Sequence, residues 1–488
     1  MWRPVYKRVL AWMGPALLAA VMIASPSPQS APSLETANSL YAAGKFKDAA
    51  DLLTSLTVVQ PPVEEVHIQL IKVQLRMNDL KGAQQTAEQA LQMFPKSAPI
   101  ATGLGDVHYR MSRFSQAALL YGRALQYDPE NAHALLGLGR ISQMASMRKS
   151  AREYFEVAHA RAPDDPEILL AWAYSRPDSS AIAAGLETYL RVARFQPQDW
   201  LDGIQRDITF KKYLGERSEC RPVGPPSVQN FKLSQMAGPG DRDETLGIEI
   251  AMVGAKPVKA LLSHDDTIVA TAGYARQMQL PKVLDTPIED PFGNRRKDYI
   301  AFAESIRIGS REFQNCRVRV VDGTSVYVGG HGPQVSVGLG LFEDSVAVVD
   351  FKKHSLTLSP APGVAGDNRD FDAVTPDSER DFTRLPRSGP IFLVLTQLNR
   401  GPERFFALSF GLSRSQISFY TKEGQDISPY ALQELKFDRF TVRTYVSREI
   451  YDVVNYLNGF ELGGALGYDA LNKRVVKLDY RNGLVKFE

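Results

Sequence analysis

The sequence predicts a multidomain α and β protein: an N-terminal α-solenoid of stacked helix pairs, then a mainly β half made of two similar lobes. Pro61, Pro95, Pro129, Pro163 and Pro197 recur at a constant spacing of 34 residues, a period that stacked helix pairs produce. After residue 230 the pattern changes to short β-branched and aromatic runs cut by Gly, Asn and Pro, as in Leu246 to Val253 and Val346 to Phe351. Those runs occur twice in the same order, and 488 residues exceed what one hydrophobic core usually organises.

Composition narrows the function classes. With 44% hydrophobic and 23% charged residues the chain is neither largely disordered nor a polytopic membrane protein. Lys and Arg number 57 against 55 Asp and Glu, a net charge of +2 without a long basic run, so nucleic acid is not an expected partner. Arg3, Lys7 and Arg8 precede an apolar stretch from Val9 to Ala24, and Ser25, Pro26, Ser27 and Pro28 then break any helix. Residues 1–29 therefore read as a secretory signal peptide or a short membrane anchor, and the chain is expected in the periplasm or outside the cell. Membrane contact is expected only through that anchor, left uncleaved. An oxidising compartment permits a Cys220–Cys316 disulfide, with two free thiols as the alternative. The two cysteines lack metal-ligand spacing, and neither a metal nor another cofactor is expected.

Within residues 30–199, counting back from each proline aligns Ala49, Ala83, Ala117, Ala151 and Gly185. Four positions on stand Leu53, Ala87, Tyr121, Phe155 and Tyr189, and three further Leu56, Ala90, Ala124, Ala158 and Val192, the spacing of one helix face. Leu104-Gly105 and Leu138-Gly139 take the matching place in the preceding helix, where Gly admits close approach of its partner. These residues resemble five tetratricopeptide (TPR) repeats, most closely in units 98–131 and 132–165. Every aligned position is a packing position and names no ligand. The resemblance implies a concave surface for a peptide or protein. Residues 200–229, with Arg221-Pro222-Val223-Gly224-Pro225-Pro226, read as a stiff linker.

The β half reads as one module repeated over 230–360 and 389–488, joined by a polar linker at 361–388. Val348 to Leu358 and Lys477 to Phe487 each read strand, tight turn, strand. Before them stand the Gly-containing apolar elements Gly338 to Phe342 and Gly464 to Leu471, and further upstream Ala260 to Ser263 and Phe406 to Ser409 correspond. This order resembles the aspartic proteases of the pepsin and retropepsin kind. In that family each lobe supplies one Asp-Thr/Ser-Gly loop to a shared cleft, and a later apolar-Gly element, here Leu339-Gly340 and Leu466-Gly467, crosses beneath it.

The catalytic positions depart from the family. In the second lobe Ser409 stands at the Asp position and Phe410 at the Thr position, while Gly411, Ser413, Ser415 and Ile417 keep the pattern. In the first lobe Ser263 stands at the Asp position, followed by His264, Asp265, Asp266 and Thr267. Two carboxylates sharing one proton are what the family's chemistry requires, and serine replaces neither role. No histidine adjoins Ser409 in the sequence to activate it as a nucleophile. A shift of register would bring Asp266-Thr267 to the motif, leaving one carboxylate against Ser409. His264-Asp265-Asp266 on an extended segment cannot all face one cation, and Arg295-Arg296-Lys297 reads as a charged loop.

The expectation is an exported TPR protein with a catalytically degenerate protease-like module, acting as an adaptor for a peptide or protein. Ser263 and Ser409 mark the degenerate dyad, and His264, Thr267, Gly411 and Ser413 the cleft floor. The alternative is an active aspartic endopeptidase whose remodelled dyad includes Asp265 or Asp266.

Overall fold

A computed structural model describes residues 33–237, 244–252, 256–289, 295–326, 332–361, 382–418, 431–449 and 459–488. The signal or anchor segment and most of the 361–388 linker lie outside the described residues. The helical half runs α1 (Leu34–Ala42), α2 (Phe46–Thr57), α3 (Glu64–Arg76), α4 (Leu80–Met93), α5 (Ala98–Arg110), α6 (Phe114–Tyr127), α7 (Ala132–Met144), α8 (Arg148–Arg161), α9 (Pro166–Tyr174), α10 (Ser179–Val192) and α11 (Gln198–Leu214). The period fixes more than the packing residues. Ser97, Asn131 and Asp165, 34 residues apart, each cap the N-terminus of a unit's first helix with a side-chain oxygen. Asn78, Ser112 and Ser146 turn the chain between the two helices of a unit at φ of 58°, 59° and 62°, and Gly44 does so at 74° in the same phase.

Between helices, Gly105 and Gly139 sit under the buried rings of Tyr121 and Phe155. A methyl group at Gly139 would come within 2.6 Å of a Phe155 ring carbon. Gly139→Ala should therefore lose more to overpacking, about 1–3 kcal/mol, than the roughly 1 kcal/mol it gains in helix propensity. Thermal denaturation would show a lowered midpoint; a raised one would mean that Phe155 gives way.

The solenoid curls until its ends touch. The Arg76 guanidinium donates to the carbonyls of Arg194 at 3.3 Å and Phe195 at 2.5 Å, and the Phe195 ring packs edge-on against Phe46 at 5.6 Å. The 200–229 linker expectation needs correction, because residues 198–214 form α11. Its Ile204 and Ile208 complete the last core cluster with Leu186 and Tyr189, while Phe210 and Leu214 pack on Phe302 of the β half. An apolar stripe, not a connector, is written there.

The principal strands of the first lobe are β1 (Glu244–Met252), β2 (Val258–Ser263), β3 (Ile268–Thr271), β4 (Tyr299–Ile308), β5 (Arg311–Val321) and β6 (Val335–Gly338). Neighbours run β5-β3-β6-β2-β1-β4, and β4 pairs with β5, which closes a barrel. A hairpin follows, β7 (Ser345–Asp350) and β8 (Ser355–Pro360). The second lobe contains β9 (Ile391–Leu398), β10 (Glu403–Leu408), β11 (Gln416–Ser418), β12 (Leu432–Phe437), β13 (Phe440–Tyr445), β14 (Ser447–Glu449) and β15 (Gly464–Leu466), and ends in a second hairpin, β16 (Val475–Asp479) and β17 (Leu484–Phe487).

The two lobes share one topology. In the first, β6 lies between β2, to which it is parallel, and β3, to which it is antiparallel. In the second, β15 lies in the same way between β10 and β11. The hairpins join the lobes, since β7 pairs antiparallel with β16 from Val346–Asp479 to Asp350–Val475. One element of the sequence reading is corrected by register. Val337 pairs with Leu262 and Gly338 with Ser263, as Leu466 pairs with Leu408, so the counterpart of Leu466-Gly467 is Val337-Gly338 and not Leu339-Gly340. Leu339–Phe342 forms a 3₁₀ turn after the strand, as helix Tyr468–Leu471 does in the second lobe.

Solenoid and β half are packed together. The α5–α6 turn meets the second lobe, where Phe460 inserts against Tyr109 and Phe114 with ring centroids at 5.8 and 5.1 Å. The Glu461 N–H donates to the Arg110 carbonyl at 2.8 Å, and the Ser112 hydroxyl donates to the Glu461 carbonyl. Arg317 of β5 pairs with Asp207 and Glu219, both at 2.9 Å, and Cys220 is bonded to Cys316 of β5.

Candidate functional site

The parallel pairs β2–β6 and β10–β15 each end where the chain must turn across a glycine. A side chain at Gly338 would strike the Asp265 carbonyl, and a methyl at Gly467 would come within 2.6 Å of the Arg414 carbonyl carbon. The loop after β2 and the loop after β10 therefore cross directly over their glycines. Ser263 is 9% exposed and Ser409 2% exposed at the starts of these loops. The lobes approach here: a methyl at Gly411 would lie 3.7 Å from the Leu262 carbonyl oxygen and 3.8 Å from the Ser263 Cα.

Across this junction the Ser409 Oγ lies 3.1 Å from Nδ1 of His264. Residues 145 apart in sequence, one from each lobe, are thereby paired. Burial holds the imidazole below its ordinary pKa, against the opposing pull of the Asp265 charge, so the ring is neutral at neutral pH. The Tyr480 hydroxyl lies 3.5 Å from the His264 carbonyl. The second lobe is not symmetrical, because Phe410, at the position matching His264, turns into the core against Phe351 at 5.6 Å.

The other residues of the first loop support its shape. Asp265 accepts the Thr267 N–H on Oδ1 at 3.1 Å and accepts the Gly340 N–H on its carbonyl at 2.8 Å; the Thr267 carbonyl accepts the Gly338 N–H at 3.0 Å. Asp266 and Thr267 are exposed on the loop's outer side. Although the residue is exposed, partial desolvation of the Asp266 carboxyl and then the adjacent Asp265 charge raise its pKa above the ordinary value. In the second loop Ser413 is buried and lines an open recess of about 210 Å³ with Arg414, Thr444, Tyr468 and Asp469. Asp469 accepts from Ser415 N–H and Oγ at 2.8 and 2.7 Å, Thr444 Oγ1 at 2.7 Å and the Ala470 N–H at 2.9 Å. Burial raises its pKa and these hydrogen bonds oppose the rise. Among the described residues, no three His, Cys, Asp or Glu side chains gather as a metal-ligand set.

Ser263 and Ser409, expected as the degenerate dyad, and His264 and Gly411, expected on the cleft floor, lie together at the lobe junction. Asp265, Asp266 and Thr267 lie on one loop of one lobe, and Ser413 lines the recess beside Asp469. His264 was expected on the cleft floor, but its pairing with Ser409 was not; the one signal for it is the asymmetry of the lobes, His264 in the first where Phe410 stands in the second.

A second polar cluster joins helices α5, α6, α7 and α9 of the solenoid. Arg140 pairs with Glu167 at 3.0 Å, His133 with Asp165 at 3.2 Å, and the Tyr121 hydroxyl donates to Asp106 at 2.7 Å. Burial raises the Asp106 pKa, and Arg140 and Arg110 hold Glu167 below its ordinary value against its own desolvation.

These features define a helix-pair solenoid packed on a duplicated β-barrel half. Residues 108–173 match the family model described as tetratricopeptide repeat, so a TPR region lies within the helical half. No curated protein matches the chain. Solved structures similar to it include a thermophilic TPR protein of Thermus thermophilus, 21% identical over 38% of this chain and 98% of that one, with a TM-score of 0.32. Another is pilF of Pseudomonas aeruginosa, 18% identical over 38% of this chain and 83% of that one, with a TM-score of 0.30. A third is MamA, 14% identical over 33% of this chain and 94% of that one, with a TM-score of 0.25.

Proposed function

We propose that the protein is an exported adaptor that binds a peptide or protein segment, and that its β half is an aspartic-protease-like module without aspartic-protease chemistry. One observation carries the reading: the two crossed loops meet with Ser263 and Ser409 at their strand ends, where the family has its carboxylates. Without a shared proton between two carboxylates, water has no general base and the scissile carbonyl no general acid. A groove that holds an extended chain by backbone hydrogen bonds keeps its affinity when that chemistry is lost. The TPR region supports the same reading, since such repeats generally mediate contacts between proteins. The basic, apolar, then Ser-Pro order of residues 1–29 supports export.

Incubation of the purified protein with a diverse peptide library from about pH 3 to 7, the range in which carboxylate pairs titrate, tests the proposal. Peptides should be retained and none cleaved. Cleavage blocked by a pepstatin-type inhibitor and abolished by Asp265→Asn or Asp266→Asn would establish the endopeptidase alternative instead.

A further inference from the structure

We propose that Ser409 and His264 form a nucleophile–base pair able to take an acyl group from an activated ester or thioester, an activity beyond the binding role above and independent of carboxylate chemistry. The geometry is the starting point. A serine hydroxyl and an imidazole nitrogen lie 3.1 Å apart, within the reach that proton transfer needs. Neither group is free to drift. The Ser409 N–H is fixed on the Leu466 carbonyl at 2.9 Å, and the Thr267 and Asp265 carbonyls of His264's loop are held on Gly338 and Gly340. With the ring proton on Nε2, Nδ1 accepts the hydroxyl proton, and the neighbouring Asp265 charge favours the imidazolium that results. The pair belongs to one lobe junction only, because the matching residue of the second lobe is the core Phe410 and offers Ser263 no base.

The reaction consumes only the acyl donor and water. The Ser409 Oγ–carbonyl carbon bond forms as the O–H proton passes to His264, and the carbon–oxygen or carbon–sulfur bond to the leaving group breaks. The leaving alcohol or thiol takes the proton from His264. Water, deprotonated by the same imidazole, then cleaves the acyl ester and restores the serine.

A fluorophosphonate probe tests the pairing, since it forms an Oγ–P bond with release of fluoride and of the proton that His264 removes. Full-length protein treated at pH 7 should gain one adduct, located by peptide mass spectrometry at Ser409. His264→Asn places an amide atom where Nδ1 stands but removes the base, and should slow labelling at least about tenfold, below the usual range of general-base effects. The wild-type rate provides a test that needs no variant. Because the imidazole pKa is depressed, labelling should already be level between pH 7 and 8 and fall only at lower pH. Failure to label, an adduct on another serine, a rate unchanged in His264→Asn, or a rate rising tenfold per unit above pH 7 would each overturn the proposal. Peptide retention is read separately, so loss of either result does not obscure the other.

Discussion

Phe460→Ala should release the solenoid from the second lobe and lower stability by about 3 kcal/mol, at the lower end of the cost of truncating a buried phenylalanine. The ring is 4% exposed and is enclosed by Tyr109 and Phe114 from the solenoid with Leu393, Ala407 and Leu462 from its own lobe. Truncation leaves a void lined by both partners, and such a void collapses only if they move together. The main-chain bond from Glu461 to Arg110 and the Ser112 hydroxyl bond to Glu461 depend on the same seating. Their loss would expose the α5–α6 turn to solvent exchange. Calorimetry of the variant should separate one cooperative transition into two, and hydrogen exchange should quicken at residues 109–114 before it does elsewhere. A variant that unfolds as the wild type does, with unchanged protection of that turn, would show that the ion pairs and α11 hold the halves together without it.

What was legible in the sequence is what repeats or is local. The prolines at 34-residue spacing, and Gly105 and Gly139 with Tyr121 and Phe155, expose the helix-pair stack because each unit solves the same packing problem. The strand-turn-strand endings of the two lobes are legible for the same reason. Contacts between units have no period to betray them. Phe460 reads as an ordinary core residue, and nothing near it in the chain points to Tyr109. His264 and Ser409 are joined by folding across 145 residues, and nothing in either neighbourhood says that these two side chains pair. Register was ambiguous as well. Gly338 and Gly340 both follow an apolar residue, and only the pairing of Val337 with Leu262 decides which one lies beneath the loop.

The contacts of the α7–α8 turn place the solenoid near the lobe junction. Ser146 Oγ lies 3.4 Å from the Arg387 guanidinium, which donates to the Tyr480 carbonyl, and the Tyr480 hydroxyl faces the His264 carbonyl. Burial lowers the Arg387 pKa to about 10, so the guanidinium remains charged at neutral pH. A buried cation between solenoid and junction is a costly element to leave unpaired. Arg387→Met should therefore be tolerated better than Tyr480→Ala, which strips the packing from the same cation and from Phe392 at 5.1 Å. Denaturation midpoints of the two variants compare these costs directly, and the opposite order would mean that the charge contributes more than the ring.

Removal of the Cys220–Cys316 bond should lower stability by about 3 kcal/mol, within the usual 2–4 kcal/mol for a disulfide. The bond joins residues 96 apart, so its main effect is to restrict the unfolded chain. The folded surroundings are expected to survive. Cys220 donates its N–H to the Asn315 carbonyl at 3.1 Å, Arg221 and Pro222 pair with Gln314 and Phe313, and the Arg317 guanidinium lies 4.3 Å from the Phe210 ring centroid. Cys316 is fully buried on β5, where a serine hydroxyl would need a partner, so Cys220→Ser with Cys316→Ala separates the cross-link from a polarity penalty. Urea unfolding of this double variant should give a lower midpoint, and reductant should bring the wild type to the same value while leaving the variant unmoved. If reductant shifts the wild type by less than about 1 kcal/mol, well under the usual disulfide contribution, the packing of α11 on β5 already restrains the chain and the cross-link is redundant. If the full shift appears, the fold is most stable where the disulfide persists, as it does in an oxidising compartment.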